Sequence, residues 1–222
     1  MCGRFNLIAT KAQIMEHFDL QRLPDDYQPD YNIPPGPKIT AVVKLDDGSN
    51  KAVNLRWGLI PSWSKDRKIS SHTFNAKAET LTEKPSFRHA YQQRRCLIPA
   101  TGFFEWQTTE TGKQPYHIHQ PECALFAFAG LWEHWENQQE TVYSCTIITT
   151  EANYKISPIH DRMSVIITSD FYARWLDKQN TAVEMADFLA ADAYSAMQLT
   201  PISSRVNNPM HNDEACLTEV AR

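Results

Sequence analysis

Residues 39–57 read ITAVVKLDDGSNKAVNLRW, with two alternating runs on either side of a turn sequence. Apolar and polar side chains alternate with a period of two in Ile39–Lys44 and again in Lys51–Trp57, which predicts two strands. Asp46-Asp47-Gly48 lies between them and favours a tight turn, because glycine reaches backbone conformations that other residues avoid. The stretch therefore predicts a β-hairpin.

Six further runs of β-branched, aromatic and small apolar residues continue this pattern along the chain. These predicted strands are Cys96–Ile98, Gly102–Trp106, Tyr116–His119, Ala124–Trp132, Val142–Thr149 and Met163–Thr168. No regular strand–helix–strand alternation connects them, so a parallel α/β sheet is not expected. The sequence predicts an α+β fold built on an antiparallel or mixed sheet.

Three short helices are predicted outside the strands. The first follows Thr10, whose side chain can cap it together with Gln13. The second begins near Ser169, and the third begins at Thr181 with Glu184 as its capping partner. The residues expected to face inward are Ile14, Met15 and Phe18, then Phe171, Trp175 and Leu176, then Met185, Phe188 and Leu189.

The composition is that of a globular protein, with 42% hydrophobic and 22% charged residues in a chain of 222. A chain of this length can bury a large core, and without repeats or linkers a single domain over residues 1–222 is predicted. No apolar run approaches the roughly 20 residues of a membrane helix, and no apolar signal segment follows Met1. The 5 cysteines form neither a paired framework nor a zinc motif, so a reduced cytoplasmic protein is expected.

The net charge is −4, but it is unevenly distributed. Residues 56–95 hold nine Lys or Arg and three Asp or Glu, which gives +6, so the remaining chain carries −10. A basic face on an acidic body suits local contact with phosphates, although a solvated surface explains the charge equally well. Within this window Trp57 and Trp63 either stack on bases of a single strand or belong to the core.

Cys2 is a candidate nucleophile, because removal of Met1 is favoured when the second side chain is small. The processed residue has an α-amine of pKa about 7.7–8.0 beside a thiol of pKa about 8.5. An amine and a thiol on adjacent carbons can attack one aldehyde in turn, giving an imine and then a thiazolidine. The same pair can also cleave amides. An unprocessed, inert Cys2 is the alternative.

Three other polar residues lie in settings typical of catalytic groups. Glu105 interrupts an apolar run; if it faces the core, desolvation raises its pKa, and if the strand alternates the other way it is exposed. His160 lies in a loop just before a strand, where it either acts in catalysis or makes a structural hydrogen bond. Asn75 either orients a polar substrate or caps a turn.

Two further arrangements carry less weight. His117 and His119 would share one strand face near Cys123, but the spacing is not that of a closed zinc site, so no metal is predicted. His160 and Asp161 resemble half of a catalytic triad. Neighbours in an extended segment point to opposite faces, however, so Asp161 is expected to be poorly placed to orient His160.

Seven blocks along the chain resemble the SOS response-associated peptidase (SRAP) family, whose members cross-link covalently to abasic sites in single-stranded DNA. The blocks are Met1-Cys2-Gly3-Arg4-Phe5, Tyr31-Asn32-Ile33-Pro34-Pro35-Gly36, Trp57-Gly58-Leu59-Ile60-Pro61-Ser62-Trp63, Asn75-Ala76-Lys77-Ala78-Glu79-Thr80, Gly102-Phe103-Phe104-Glu105-Trp106, Pro158-Ile159-His160-Asp161-Arg162 and Ser203-Ser204-Arg205-Val206-Asn207-Asn208. They follow the family's order. The resemblance implies a single SRAP-like domain whose mixed or antiparallel β-sheet core approaches a barrel with peripheral helices.

The resemblance also implies roles for individual residues. Cys2 is similar to the family's nucleophile and Glu105 to its catalytic carboxylate, while Asn75 and His160 resemble the residues that engage the opened abasic sugar. The DNA contacts implied are Arg4, Lys77 and Thr149, with Arg162 and Arg205 as further phosphate partners. Position 77 is usually Arg in the family, and Lys keeps the charge but loses the bidentate fork. Ser164 stands where the family often has Pro.

The implied function is to sense abasic sites in single-stranded DNA and to form a thiazolidine cross-link through Cys2, which shields the lesion from strand cleavage during replication. Little turnover is expected. The expected partner is single-stranded DNA with abasic sites, including sites at single-strand/double-strand junctions. No cofactor and no membrane contact are expected, and the protein is predicted to be a cytoplasmic monomer that joins the nucleoid when bound to DNA.

Three alternatives remain open from the sequence. A cysteine-type peptidase, acting on its own N-terminus or on other peptides, would use the same Cys2, Glu105 and His160. An N-terminal-cysteine amidohydrolase would hydrolyse glutamine. A non-covalent reader of single-stranded DNA would protect abasic DNA even after a Cys2→Ala substitution.

Overall fold

This computed structural model describes residues 2–181, 184, 186, 188, 189 and 194–220. The described part of the chain contains thirteen strands and three α-helices. The strands are β1 (Phe5–Leu7), β2 (Asp30–Ile33), β3 (Lys38–Lys44), β4 (Asn50–Trp57), β5 (Asn75–Lys77), β6 (Arg95–Ala100), β7 (Gly102–Thr109), β8 (Gly112–His119), β9 (Phe126–Glu136), β10 (Thr141–Glu151), β11 (Arg162–Ser164), β12 (Ile166–Ile167) and β13 (Gln198–Pro201). The helices are α1 (Lys11–His17), α2 (Arg88–Gln93) and α3 (Tyr172–Leu176).

Five strands close into a barrel in the order β4, β3, β6, β9 and β10. Four of the five contacts are antiparallel. The fifth is parallel and closes the ring, with Ser144 opposite Arg56 and Cys145 opposite Trp57. The predicted α+β fold with a mixed sheet that approaches a barrel is confirmed.

A second sheet, in the order β13-β8-β7-β1-β2, packs against the barrel. The Phe5 ring of β1 contacts the rings of Trp57 and Phe128 edge to face, at centroid distances of 5.2 and 5.8 Å. The opposite face of this sheet carries Phe104, which packs in a smaller cluster with Val206 and other residues of the C-terminal segment. The sheet is therefore covered on both faces.

The long strand β10 extends beyond the barrel and pairs with two short strands at its C-terminal end. Strand β5 lies parallel to it, with Asn75 opposite Ile147. Strand β11 lies antiparallel to it, with Ser164 opposite Thr149. Candidate residues that are far apart in the sequence are in this way brought to one end of β10.

The eight predicted strands are present, and one of them is divided. Met163–Thr168 forms β11, which pairs with β10, and β12, which pairs with β9. The chain changes partner at Val165, whose N–H donates to the carbonyl of Ile148 while its carbonyl accepts the N–H of Ala129, both at 2.8 Å. Strands β1, β2, β5 and β13 were not predicted, because segments of 3 or 4 residues are too short to show a period.

The first two predicted helices are confirmed. Thr10 caps α1, and the reciprocal bonds with Gln13 form a capping box. A 3₁₀ turn at Ser169–Phe171 leads into α3. For the third, Thr181 and Glu184 exchange the two capping bonds, whereas Met185 lies outside the described residues. In the described part of the chain, none of the helices has both the length and the apolar character needed to cross a bilayer.

The buried Arg95 side chain links the barrel to two helices. It is 4% exposed, and all its hydrogen-bond partners are backbone carbonyls at helix C-termini. It donates to Tyr91 at the end of α2, and to Trp175 and Asp177 at the end of α3. Helix C-termini carry partial negative charge and carbonyls without a partner inside the helix. One guanidinium therefore supplies hydrogen bonds and positive charge to the C-terminal ends of both α2 and α3.

Arg95→Lys is predicted to destabilise the fold, because an ammonium keeps the charge but cannot reach carbonyls on both helices. The expected loss in the free energy of unfolding is about 3 kcal/mol, measured by urea denaturation. The matched control is Arg88→Lys, an exposed position on α2, which should stay within about 0.5 kcal/mol of the parent. Equal, small effects at the two positions would contradict this account of Arg95.

Candidate active site

The pairing of β1 with β7 brings the N-terminal residues close to Glu105. The pairing extends to Arg4, whose carbonyl accepts the N–H of Phe104 at 2.9 Å. On the other side, the amide Nδ2 of Asn75 donates to the carbonyl of Cys2 at 2.8 Å. Cys2 is therefore held between β7 and β5.

The Cys2 thiol is fully buried, with 0% exposure. This burial raises the pKa of the thiol to about 12; the neighbouring Ser164 hydroxyl opposes the shift, and the Glu105 carboxylate adds to it. The thiol is consequently protonated at neutral pH. Any reaction through its thiolate requires a nearby group to accept the proton.

Glu105 is 3% exposed, so the exposed alternative for this residue is wrong. Alternation along β7 does not bring it to the surface, because both faces of the sheet are covered: Phe103 packs in the main core and Phe104 in the C-terminal cluster. Burial raises the pKa of Glu105 to about 7. At neutral pH the carboxyl group can therefore both donate and accept a proton.

His160 ends a series of turns, and its ring Nδ1 has two neighbours. It accepts the N–H of Arg162 at 2.9 Å, and it lies 2.8 Å from Oδ1 of Asp161. The expectation that Asp161 is poorly placed is wrong, because the segment is turned rather than extended, with the Ile156 carbonyl accepting the N–H of His160 at 3.0 Å. Partial burial is the main cause that lowers the pKa of His160.

Two buried oxygens near the Cys2 segment have no hydrogen-bond partner in the described part of the chain. They are Oδ1 of Asn75 and Oγ1 of Thr149. Both residues lie on the paired strands β5 and β10, where Lys77 is opposite Thr149. Buried polar atoms in folded proteins are seldom left unsatisfied, so these oxygens are suited to accept hydrogen bonds from a ligand or a water molecule.

An open pocket of about 510 Å³ collects several of these groups. Its lining residues are Gly3, Phe74, Glu105, Trp106, Lys113, His160 and Asn207. Trp106, Lys113 and Asn207 were not predicted as site residues. Trp106 donates its Nε1–H to Oδ1 of Asn207 at 2.7 Å and thereby forms one wall. No local signal marks Lys113, which lies near the start of β8 and pairs with Thr108 of β7.

The two predicted stacking residues lie in different environments. Trp63 is 59% exposed, within the basic window, and is accessible to a nucleobase. Trp57 is 1% exposed, and its Nε1–H donates to the carbonyl of Phe74 at 2.8 Å. Trp57 therefore belongs to the core, one of the two alternatives that the sequence left open, and it cannot stack on a base in this conformation.

The three predicted arginines already bind groups within the chain. Arg4 donates to two oxygens of neighbouring segments at 2.8 and 2.9 Å. Arg162 forms a bidentate ion pair with Glu79, and Arg205 forms one with Asp213. A phosphate contact by any of the three would have to share or replace these partners.

Ion pairs reduce the number of exposed, unpaired cations in the basic window, residues 56–95, below the number of its Lys and Arg residues. Arg67 and Arg94 form ion pairs with Glu140 and Glu133. The exposed Lys and Arg residues of the window that form no ion pair in the described part of the chain are Lys65, Lys68, Lys77, Lys84 and Arg88. These cations are available to phosphates.

The two histidines on β8 serve the packing of the second sheet. His117 lies at 3.1 Å from the Asn6 amide, and its ring stacks on that of His119 at 4.4 Å. Burial lowers the pKa of His117 to about 3, so the ring is neutral. Among the described residues no group of three or more His, Cys, Asp or Glu is arranged to hold a metal ion.

Comparison with known proteins gives a consistent result. Residues 1–209 match the family described as "SOS response associated peptidase (SRAP)". The chain is 44% identical to "Abasic site processing protein YoaM" of Bacillus subtilis, over 98% of this chain and 97% of that protein. It is 32% identical to "Abasic site processing protein HMCES" of Xenopus tropicalis, over 88% of this chain and 68% of that protein.

Solved structures share the fold. A protein from Bacteroides thetaiotaomicron superposes with a TM-score of 0.88 at 26% identity, over 99% of this chain and 100% of that one. A protein from Bordetella bronchiseptica superposes with a TM-score of 0.79 at 22% identity, over 91% and 100% of the two chains. The architecture around the pocket is therefore that of a recurring fold.

Glu105→Gln is predicted to stabilise the protein at pH 8. The native pKa of about 7 lies above the roughly 4.3 of an unfolded glutamate, so stability is lost as pH rises from about 4.3 through 7. The neutral amide removes a penalty of roughly 3 kcal/mol at pH 8 and little at pH 4.5. Thermal unfolding at both pH values measures the difference, with exposed Glu110→Gln as the control. A pH-independent effect would contradict the role of burial.

Proposed function

Because the chain belongs to the SRAP family, we propose that it recognises abasic sites in single-stranded DNA and joins them covalently through Cys2. The observation that carries the proposal is a pocket lined by a carboxyl group of pKa about 7 and a histidine, with the thiol of Cys2 buried beside that carboxyl group. The names of the relatives supply the substrate class: both are called abasic site processing proteins.

The proposed reaction begins with removal of Met1, a residue outside the described ones. The abasic deoxyribose then opens: its hydroxyl proton is lost to a base, the ring oxygen gains a proton, and an aldehyde forms at C1′. In this step His160 supplies the proton to the ring oxygen, while Asn75, whose buried Oδ1 has no hydrogen-bond partner in the described part of the chain, holds the opened sugar.

Glu105 serves the next two steps as the proton carrier. The α-amine of Cys2 adds to the aldehyde carbon, and loss of one water gives an imine. The thiol then adds to the imine carbon, its proton passes to the imine nitrogen, and a five-membered thiazolidine closes. A thiol of pKa about 12 requires such a relay, because little thiolate exists at neutral pH. The product has no free imine from which β-elimination could cleave the strand.

The strand itself would be held by cations and one aromatic surface. Lys77 lies at the exposed end of β5 and Lys113 at the pocket, and both can contact phosphates without reading sequence. The exposed Trp63 offers a stacking surface within the basic window. We propose that the protein works in this way as a monomer on chromosomal DNA in the cytoplasm, including at single-strand/double-strand junctions.

The covalent step is tested with an oligonucleotide that contains one abasic site. The processed protein should give a heat-stable, protein-sized shift on a denaturing gel, and Cys2→Ala should reduce the stable adduct to background. Cys216→Ala, at a cysteine buried in the separate C-terminal cluster, should retain it. No shift from protein whose intact mass proves a free Cys2 would overturn the proposal and direct attention to peptide substrates.

Binding to undamaged single strands is predicted to weaken steeply with salt and to depend little on base identity, since the contacts are with phosphates. Lys77→Gln should lower the slope of log K against log salt by about 0.7, the value for one phosphate on a single strand. Lys51→Gln, an exposed position outside the window, should leave the slope unchanged. Fluorescence anisotropy between 50 and 200 mM salt measures it, and a salt-independent affinity would count against a basic groove.

A further inference from the structure

The ion pair between Glu79 and Arg162 joins three chain segments beside the pocket. The two guanidinium nitrogens Nη1 and Nη2 donate to the two carboxylate oxygens, each at 2.9 Å. Nη2 also donates to the carbonyl of Thr149 at 2.8 Å, and the Thr150 hydroxyl donates to Glu79 at 3.3 Å. The Arg162 side chain is 11% exposed. Parallel, bidentate bonds of this kind fix orientation as well as distance.

This anchoring bears directly on His160. Arg162 is held through its side chain, and its backbone N–H donates to Nδ1 of His160 at 2.9 Å. A backbone N–H can only donate, so a neutral ring whose Nδ1 accepts this bond carries its proton on Nε2. When the ring is protonated at Nδ1, the Asp161 carboxylate at 2.8 Å is the acceptor. Nδ1 thus has a partner in both protonation states.

We propose that Glu79 is a positioning residue for the cross-linking reaction, an inference that rests on the proposed function. Acting through Arg162, it holds the imidazole of His160 with Nδ1 as acceptor and Nε2 as the proton-bearing nitrogen at the pocket. Glu79 itself is not among the residues that line the pocket, and its carboxylate accepts hydrogen bonds from Arg162. Glu79 positions His160 by fixing the start of β11, the strand that directly follows the loop carrying His160.

A phosphate role for Arg162 makes a different prediction. An arginine that neutralises a phosphate contributes to the salt dependence of DNA binding, whereas an arginine that orients a histidine contributes to the rate of the chemical step and to its pH profile. The groups that face His160 are the Asp161 carboxylate, the backbone N–H of Arg162, and Glu105 and Lys113 of the same pocket lining. A Glu79 substitution leaves all four in the chain and removes only the anchor.

The first experiment compares Glu79→Gln with Glu83→Gln, an exposed glutamate four residues further on. Glutamine keeps the size but can satisfy only one side of the guanidinium. The single-turnover cross-linking rate of Glu79→Gln is expected to fall about tenfold at pH 7, and the His160 limb of its pH profile to shift. Its affinity for undamaged single strands and the salt slope should stay unchanged. A wild-type rate and profile, or a lower salt slope with an unchanged rate, would overturn the inference.

The second experiment reads the imidazole directly by ¹⁵N NMR, with His160→Gln to assign the signals. The wild-type protein should show an unprotonated Nδ1 and a protonated Nε2 above the titration of His160, and Glu79→Gln should show a mixture. A protonated Nδ1 in the wild type would overturn the inference. If Glu79→Gln fails to fold, Glu79→Asp replaces it, with a rate expected between wild type and a tenfold loss. Failure of the wild type to cross-link would overturn the proposed function, while the NMR result would still decide the histidine geometry.

Discussion

The parallel contact between β4 and β10 is the constraint on which the molecule depends. It closes the barrel at Ser144 and Cys145, and the ring closure is reinforced where the Ser144 hydroxyl accepts the N–H of Ile60 at 2.8 Å. Because the C-terminal end of β10 also carries β5 and β11, the same closure determines where Asn75 and the loop before β11 lie. The same strand, β10, therefore both closes the barrel and positions the residues of the site.

The buried ionisable groups of the site lower the stability of the folded protein when they are charged. Burial holds Cys2 as a thiol and brings Glu105 to the midpoint of its titration at neutral pH, and each of these buried groups disfavours its charged form. Arg95 and the paired arginines are the opposite case, since their charges are matched by carbonyls or carboxylates. The contrast separates residues that maintain the fold from residues that are held ready for proton transfer.

Local sequence patterns predicted the elements whose causes are local. The hairpin of residues 39–57 and the capping box at Thr10 follow from neighbouring residues, and both are present. Asp161 was misjudged because a turn replaced the assumed extended segment. Lys113 was not predicted as a site residue, because only the tertiary fold brings the hairpin of β7 and β8 to the pocket. The burial of Glu105 also could not be decided from alternation, since the second covered face of its sheet is supplied by residues one hundred positions away.

The burial of Cys2 has a consequence for the time before the fold exists. Ser164, a neighbour of Cys2 in the folded protein, is made 162 positions later than Cys2. At about 5–20 residues per second, that interval is roughly ten to thirty seconds. During that interval the thiol lacks the burial that raises its pKa in the folded protein, so it has the ordinary acidity of a cysteine. The contact between Cys2 and Ser164 can form only after β11 has been made.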